Sequence, residues 1–148
     1  MSYRKGGFTI IELVVALIIG VVLTSIAVRG FSGMQGRMAA RQARQVFASI
    51  HARTRASAIE FGQTTRLNID YDKDSVWISR GAVQVEVMPF RRNLGVDILG
   101  TGTLRLCMNA RGFADTRCNS FNATQTITFQ AGADTAGVQI RTLGQLYY

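Results

Sequence analysis

The chain has 148 residues, the length of one domain, and a formal net charge of +8 from 17 basic and 9 acidic residues. Fifteen of the basic residues are arginine, which favours contact with an anionic surface such as phospholipid head groups, nucleic acid or an acidic protein. Two cysteines and one histidine are too few to build a zinc site. We therefore predict neither a metal site nor a cofactor.

No catalytic arrangement is present in the sequence. It has no Ser/His/Asp motif, no glycine-rich phosphate loop and no nucleophilic cysteine paired with a histidine. Asp70, Asp72 and Asp74 alternate in a predicted hairpin loop, but the glycine and terminal glutamate of an EF-hand are missing. A polar turn is predicted there, and the chain is predicted not to be an enzyme.

The first predicted element is an apolar helix over residues 8–28, in which Glu12 is the only charged residue. At about 1.5 Å per residue it would span about 31 Å, the thickness of a bilayer core. The run is longer than the apolar region of a secretory signal peptide, and no small-x-small cleavage site follows it. We predict a single membrane-spanning helix, with Arg4 and Lys5 holding the N-terminus in the cytoplasm.

The segment KGGFTIIELVVALIIGVVLTSIAV resembles the class III leader of type IV prepilins and type II secretion pseudopilins. In that family a prepilin peptidase cuts after a glycine, and the new N-terminal phenylalanine becomes N-methylated. The resemblance implies a leader peptide at residues 1–7, cleavage between Gly7 and Phe8, and N-methylation of Phe8. It also implies a filament-assembly role for Glu12.

That role is a contact between subunits. In a filament of packed helices, Glu12 of one subunit would pair with the Phe8 ammonium of a neighbour, and a buried ion pair of this kind sets register more than stability. An alternative stays open, in which Glu12 pairs with its own Phe8 amine or reaches the membrane interface.

Residues 29–61 are predicted to continue the helix as an amphipathic segment that ends at Gly62. Gly30, Gly33 and Gly36 predict a bend or a softer stretch. The predicted packing stripe consists of Ala39, Ala43, Val46, Phe47, Ile50, Thr54, Ser57 and Phe61.

A basic stripe is predicted on the opposite face of this helix, formed by Arg37, Arg41, Arg44, His51 and Arg55. One interpretation is a solvated face or contact with lipid phosphates. The other is contact with a neighbouring subunit or with DNA. Because no aromatic residue is interleaved with these arginines, base stacking from the stripe is not predicted.

The remaining chain, residues 62–148, is predicted to be β-rich, because short alternating runs are separated by turn residues. Val83, Val85 and Val87 share one strand face, Pro89 ends that strand, and Trp77 and Phe129 are predicted core residues. A long helix followed by strands indicates an α+β fold with an antiparallel β domain packed on the helix, the pilin fold. Strands are predicted at 65–69, 75–79, 82–88, 95–99, 103–108, 125–130 and 137–142, with a last piece in QLYY.

Cys107 and Cys118 bracket a turn-rich loop. Since the predicted topology places them outside the cytoplasm, a disulfide is the favoured interpretation. It would contribute on the order of 2–3 kcal/mol through the unfolded state. Reduced, buried thiols are the alternative.

Beyond the leader, the layout resembles the H-type pseudopilins and FimT-like minor pilins. This implies a structural subunit of a type II secretion pseudopilus or a type IV pilus. The implied location is the inner membrane, single-pass, with a cytoplasmic N-terminus and a periplasmic C-terminal domain, before entry into the filament. The implied partners are prepilin peptidase, other pilins or pseudopilins, an inner-membrane assembly platform and membrane lipid.

The alternative function is a DNA-binding minor pilin acting in DNA uptake. Some FimT-like proteins bind DNA through a C-terminal Gly-Arg-x-Arg motif, whereas here Gly144 is followed by Gln and Leu. A major pilin is a third alternative, disfavoured by Arg29 where many major pilins carry proline. The arginines predicted to form a distal basic patch are Arg105, Arg111, Arg117 and Arg141.

Overall fold

The computed structural model describes residues 9–148, and for residues 27–32 it describes the backbone alone. Helix α1 spans Ile10–Phe61, 52 residues, and is continuous through the three glycines predicted to soften it. Gly62 follows its last residue, as predicted, and a φ of +62° gives this glycine the left-handed conformation that commonly terminates helices. The chain divides into two compact units between Gln35 and Gly36.

The second unit contains two antiparallel four-stranded sheets. Sheet 1 has the strand order β3-β2-β1-β5 and sheet 2 the order β4-β6-β7-β8. The elements are β1 (Thr65–Asp70), β2 (Ser75–Arg80), β3 (Val83–Pro89), α2 (Phe90–Leu94), β4 (Asp97–Leu99), β5 (Thr103–Met108), β6 (Gln125–Ala131), β7 (Asp134–Ile140) and β8 (Leu146–Tyr147).

The predicted α+β class is confirmed, and each predicted strand has a counterpart. Most strand ends differ by a residue, and the larger differences concern α2, β4 and β7. Helix α2 follows Pro89 directly and was not predicted. Its C-cap, Gly95, has a left-handed φ of +65°, so β4 begins two residues later than expected. Strand β7 begins at Asp134 rather than at residue 137, because the turn after β6 is short.

The core of the second unit centres on three phenylalanine rings. The ring centroid of Phe129 in β6 lies 5.6 Å from that of Phe47 in α1 and 5.4 Å from that of Phe90 in α2. All three side chains are fully buried, and each burial contributes about 1.5–3 kcal/mol. Helix α1 contributes Ala40, Ala43, Phe47, Ile50, Thr54 and Ala58 to the buried interior.

The predicted packing stripe of α1 is correct in its middle and wrong at its end. Phe61 is exposed, and the guanidinium of Arg80 lies over its ring at 3.6 Å from the centroid. Ala58 is buried in its place, because the last turn of the helix presents that position to the sheets. Ser57 is only half-buried.

The outer face of sheet 1 carries apolar side chains. Trp77 is half-buried and pairs across strands with Val87, while Val76 and Ile78 on either side of it face the core. The prediction that Trp77 is a core residue is therefore wrong, because strand alternation turns it outward. The three valines on one face of β3 are all exposed: Val83, Val85 and Val87.

Asp74 connects the β1–β2 turn to sheet 2. It is 3% exposed, and its Oδ1 accepts a hydrogen bond from the backbone N–H of Ile98 at 2.6 Å. Its Oδ2 lies 2.9 Å from Nε of Arg91 in α2. The buried carboxylate therefore has both a donor and a countercharge, as a buried charge requires.

Candidate functional site

The N-terminal part of α1 exposes apolar side chains on every side. From Ile10 to Ile26, the large apolar side chains are between 46% and 86% exposed. Glu12 is the only charged residue from Thr9 to Ile26. A helix that is apolar all round needs an apolar environment, such as lipid or a bundle of similar helices.

Glu12 lies in the first turn of α1. The Oγ1 atom of Thr9 accepts the backbone N–H of Glu12 at 3.3 Å, which is one half of a capping box. An acidic residue in the first turn is also stabilised by the helix dipole. The role of Thr9 was missed, although T-x-x-E is the sequence signature of this cap.

The predicted processing residues precede α1. Gly7 and Phe8, together with the leader at residues 1–7, lie outside the described residues. The cleavage site, the N-methylation of Phe8 and the contact between its amine and Glu12 therefore stay predictions.

Membrane spanning was predicted for residues 8–28. Among residues 9–26 and 33–148, no helix combines the length and apolar character needed to cross a membrane. The predicted span extends beyond the residues that the structure describes, and it stays a prediction.

The second unit begins with a close approach between α1 and the turn joining β6 and β7. A Cβ atom at Gly36 would lie 2.9 Å from both the carbonyl oxygen of Ala131 and Oδ2 of Asp134. The next residue, Arg37, places its Nε 3.1 Å from Oδ1 of Asp134, although its side chain is 71% exposed. Gly36 is therefore needed for packing, whatever its effect on helix stiffness.

The predicted basic stripe is not opposite the packing face, because residues from the second half of the chain fold over it. The guanidinium of Arg44 lies 5.4 Å from the ring centroid of Tyr148, and that of Arg55 lies 5.8 Å from Phe113. Arg41 is exposed. No aromatic residue is interleaved with these arginines within the helix, but rings from distant parts of the sequence contact Arg44 and Arg55.

His51 was predicted to lie on the basic face and is instead buried, with 7% of its surface exposed. Its Nε2 donates a hydrogen bond to the carbonyl oxygen of Gly144 at 2.8 Å. Burial lowers the pKa of His51, the hydrogen bond to Gly144 partly opposes this, and the nearby charge of Arg55 lowers the pKa further. The imidazole is therefore held neutral.

The predicted distal arginines are held by several different contacts. Nε of Arg105, on the outer face of β5, donates to Oδ1 of Asn68 at 3.4 Å. Nε of Arg117 lies 3.3 Å from Oδ1 of Asp115. Their grouping into one patch stays a prediction, and its members, all of them exposed, are Arg105, Arg111, Arg117 and Arg141.

The chain ends in two exposed tyrosines. Tyr147 is 58% exposed and Tyr148 is 65% exposed. The guanidinium of Arg141 lies 5.1 Å from the ring centroid of Tyr147, and Arg44 contacts Tyr148 as described above. Arginine–aromatic pairs of this kind can stack on a nucleobase.

Cys107 and Cys118 form the predicted disulfide, with their Cα atoms 5.7 Å apart. Cys107 is fully buried in β5. Its N–H donates to Oδ1 of Asn119, and its carbonyl accepts the N–H of Asp115, both at 2.8 Å. The loop after β5 therefore covers the outer edge of β5, on the side that does not pair with β1.

The alternating aspartates of the β1–β2 turn do not converge on one point. Oδ1 of Asp70 accepts the backbone N–H groups of Asp72 and Lys73, each at 3.1 Å, which is the polar-turn arrangement. Asp74 points to Arg91 and sheet 2. Within the described part of the chain, no cluster of three or more His, Cys, Asp or Glu residues could hold a metal ion.

Residues 2–28 match the family model described as the prokaryotic N-terminal methylation motif. The match covers the apolar N-terminal part of α1 together with residues before it. No curated protein and no solved structure matches the chain.

Proposed function

We propose that this chain, a type IV prepilin-like protein by its N-terminal methylation motif, is a minor pilin or pseudopilin, a structural subunit of a type IV pilus or a type II secretion pseudopilus. The motif itself implies processing by prepilin peptidase and assembly with other pilins. The minor subunit role is our proposal.

This proposal rests on one observation: α1 exposes apolar side chains from Ile10 to Ile26, and this segment lies within the residues that match the methylation motif. Such a surface is unstable in water, because exposing apolar area costs about 25 cal/mol per Å². Lipid and a bundle of similar helices both give this surface an apolar environment. Transfer of the helix from membrane to filament therefore need not carry a large net free-energy cost.

Glu12 would set the axial register of that bundle. After cleavage, the Phe8 ammonium of one subunit and the Glu12 carboxylate of its neighbour would neutralise each other in the apolar interior. Only the correct stagger brings the two charges together, and every other stagger leaves a charge buried without a partner.

An inner-membrane protein with an extracytoplasmic domain fits the chemistry of the second unit. The disulfide Cys107–Cys118 supports this location, because such bonds persist in oxidising compartments such as the periplasm. The chain would wait in the membrane, with its N-terminus cytoplasmic, until an assembly platform extracts it.

The test is to recover the protein from its native host in membrane and filament fractions and to determine its N-terminus by mass spectrometry. The proposal expects a mature chain beginning at N-methylated Phe8, present in filaments at a small fraction of the major subunit. An uncleaved chain found in the soluble cytoplasmic fraction would contradict it. Loss of protein secretion or of pilus function in a deletion strain would then identify the system.

The second candidate function is DNA binding in uptake. It is favoured by one observation, the pairing of exposed C-terminal tyrosines with Arg44 and Arg141. Phosphate contacts from the arginines and base stacking on Tyr147 and Tyr148 would act together on single-stranded DNA.

Gel-shift assays at about 50 mM and 200 mM salt would test this candidate. Binding should weaken with salt and should fall further in Tyr147→Ala and Arg141→Ala. The matched control is Arg92→Ala, which removes one exposed positive charge from α2. Absence of binding at low salt, or equal weakening by Arg92→Ala, would eliminate a specific DNA site.

A further inference from the structure

A cleft of about 480 Å³ lies in the second unit, where the chain crosses from β4 in sheet 2 to β5 in sheet 1. Three separate segments form it: Tyr71 after β1, the crossover at residues 99–104, and residues 120–126 before and within β6. Its volume falls within the range of about 300–1,000 Å³ that is usual for ligand sites. No part of the proposed function above uses it.

The lining of this cleft is polar but carries no formal charge. Its eleven residues include four threonines or serines and two side-chain amides, in a chain whose net charge is +8. Leu99, which is 44% exposed, supplies accessible apolar surface to the lining, whereas Leu104 and Phe121 are nearly buried. The site therefore offers hydrogen-bond donors and acceptors beside apolar surface.

Several of these polar groups are available to a ligand. The side chains of Thr101, Asn122 and Thr126 are exposed and make no hydrogen bond to another residue in the described part of the chain. An amide such as that of Asn122 supplies both donors and an acceptor, as a vicinal pair of sugar hydroxyls requires.

Tyr71 is fixed in the cleft by a glycine. A Cβ atom at Gly100 would lie 2.6 Å from Cδ1 and 2.8 Å from Cγ of the Tyr71 ring, so the ring lies directly against the glycine backbone. The backbone N–H of Tyr71 also donates to the carbonyl oxygen of Gly102 at 3.1 Å. Burial raises the pKa of the Tyr71 hydroxyl, which therefore stays protonated.

We propose that this cleft binds a neutral oligosaccharide. The C–H face of a sugar ring would pack on the apolar and aromatic surface, and its hydroxyls would bond to the free hydroxyl and amide groups. A nucleic acid or anionic lipid would need positive charges, which the lining lacks. A strand-like peptide would pair through its backbone with a sheet edge, and the edge strand β4 at this cleft is only three residues long.

The test uses the full chain in a detergent whose head group is not a sugar. The neutral probes are tetrasaccharides of glucose and of N-acetylglucosamine, and the anionic comparator is a hyaluronan tetrasaccharide. Binding is measured by isothermal titration and by saturation-transfer NMR. A neutral probe is expected to bind, with an affinity that does not change between low and moderate salt.

Asn122→Ala and Gln125→Ala are expected to weaken that binding by at least about fivefold each, since each removes a hydrogen-bonding group. Gly100→Ala should do so by displacing the Tyr71 ring. The matched control is Gln84→Ala, an exposed amide on β3. A thermal melt of each variant separates loss of binding from loss of fold.

Three results would overturn the inference. The first is that neither neutral probe binds. The second is that Asn122→Ala and Gln125→Ala bind as the wild type does, which would place the ligand elsewhere. The third is that the hyaluronan probe is preferred and is released by salt, which would indicate an electrostatic site. None of these results bears on filament assembly, so the proposed function would stand or fall separately.

Discussion

Nε2 of His51 lies 2.8 Å from the carbonyl oxygen of Gly144, a contact between residues 93 positions apart in the sequence. Because the carbonyl can only accept, Nε2 carries the proton of a neutral imidazole. The contact ties α1 to the turn before β8. The turn is closed further by the N–H of Gly144, which donates to the carbonyl oxygen of Arg141 at 2.8 Å.

The burial of His51 predicts a stability that decreases as the pH is lowered, an effect that the hydrogen bond to Gly144 partly opposes. The pKa of His51 is lowered in the folded state, chiefly by burial, from its ordinary value of 6.5. As pH falls below that value, the unfolded chain takes up a proton before the folded chain does. Stability is therefore lost between the unfolded and the folded pKa, by at most about 1.4 kcal/mol per pH unit.

His51→Gln removes this titration while keeping an amide donor for Gly144. Thermal melts of the two proteins between pH 7.5 and about pH 5 should show a steeper decline for the wild type. The carboxylates contribute equally to both, so the difference isolates the histidine. Parallel curves would mean that His51 does not titrate with folding.

Gly144 itself predicts a large effect of a small substitution. Its φ is +79°, and a Cβ atom would lie 3.0 Å from Cβ of Ala114 and 3.1 Å from Cε of Met108. Gly144→Ala should destabilise the fold by about 2–4 kcal/mol, from backbone strain plus overpacking. The matched control is Gly132→Ala, with a φ of +62° and no atom near its Cβ, which should cost only the strain. If denaturant unfolding gave the same loss of unfolding free energy for the two variants, overpacking against Ala114 and Met108 would be excluded as a cause.

Substitution of Glu12 separates its charge from its place in the helix cap. Glutamine also suits a capping box, so Glu12→Gln should keep the start of α1 but remove the charge that we propose sets the register. We expect Glu12→Gln, like Glu12→Leu, to insert into the membrane but to be present in filaments at a level at least about tenfold below that of the wild type. Immunoblotting of the membrane and filament fractions measures both amounts. Glu60→Gln, at an exposed acid in the last turn of α1, is the control. Normal incorporation of Glu12→Gln would remove the register role.

Gly7→Arg tests the assigned cleavage site. A bulky cation before the cut should block prepilin peptidase and leave the precursor in the membrane, heavier by the mass of residues 1–7. Intact-mass measurement of the membrane fraction reports this directly. The conservative variant Gly7→Ala shows how much of the effect is size. A mature Phe8 N-terminus in the arginine variant would show that the cut lies elsewhere.

Removing the disulfide should destabilise the second unit by on the order of 2–3 kcal/mol, because the unfolded chain regains the freedom of the loop. Cys107→Ala/Cys118→Ala is the variant to use, since Cys107 is fully buried and alanine leaves no polar group there. Denaturant unfolding of both proteins under oxidising conditions gives the difference. A midpoint unchanged from the wild type would mean that the loop is held without the bond.

The sequence was a good guide where the signal is local. Strand β5 coincides with its predicted range, and Gly62 ends α1 because glycine alone adopts that conformation without strain. It was a poor guide to His51, which shares a helical spacing with four arginines yet is buried. The burial of His51 depends on the segment around the distant Gly144, and the periodicity of a helix gives no information about which distant segment packs on it.

The candidate site divides in the same way. The N-terminal motif is contiguous, so the sequence alone is enough to predict roles for Gly7, Phe8 and Glu12, and these roles stay predictions. The arginine–tyrosine pairs and the uncharged cleft could not be foreseen, because each joins segments that only the sheet topology brings together. Tyr71, Gly100 and Asn122 are remote in sequence, and none belongs to a recognisable pattern by itself.

The chain changes sheets between β3 and β4, again between β4 and β5, and once more between β5 and β6. Neither sheet is therefore built from consecutive strands alone. Strand β1 pairs with β5, where Thr65 lies opposite Met108, so this pairing forms only after the two distant segments have met. Such long-range pairing slows the search for the native state. The Cys107–Cys118 disulfide shortens the connection between β5 and β6. An oxidase in the same compartment would therefore speed folding of the chain as well as stabilise the folded protein.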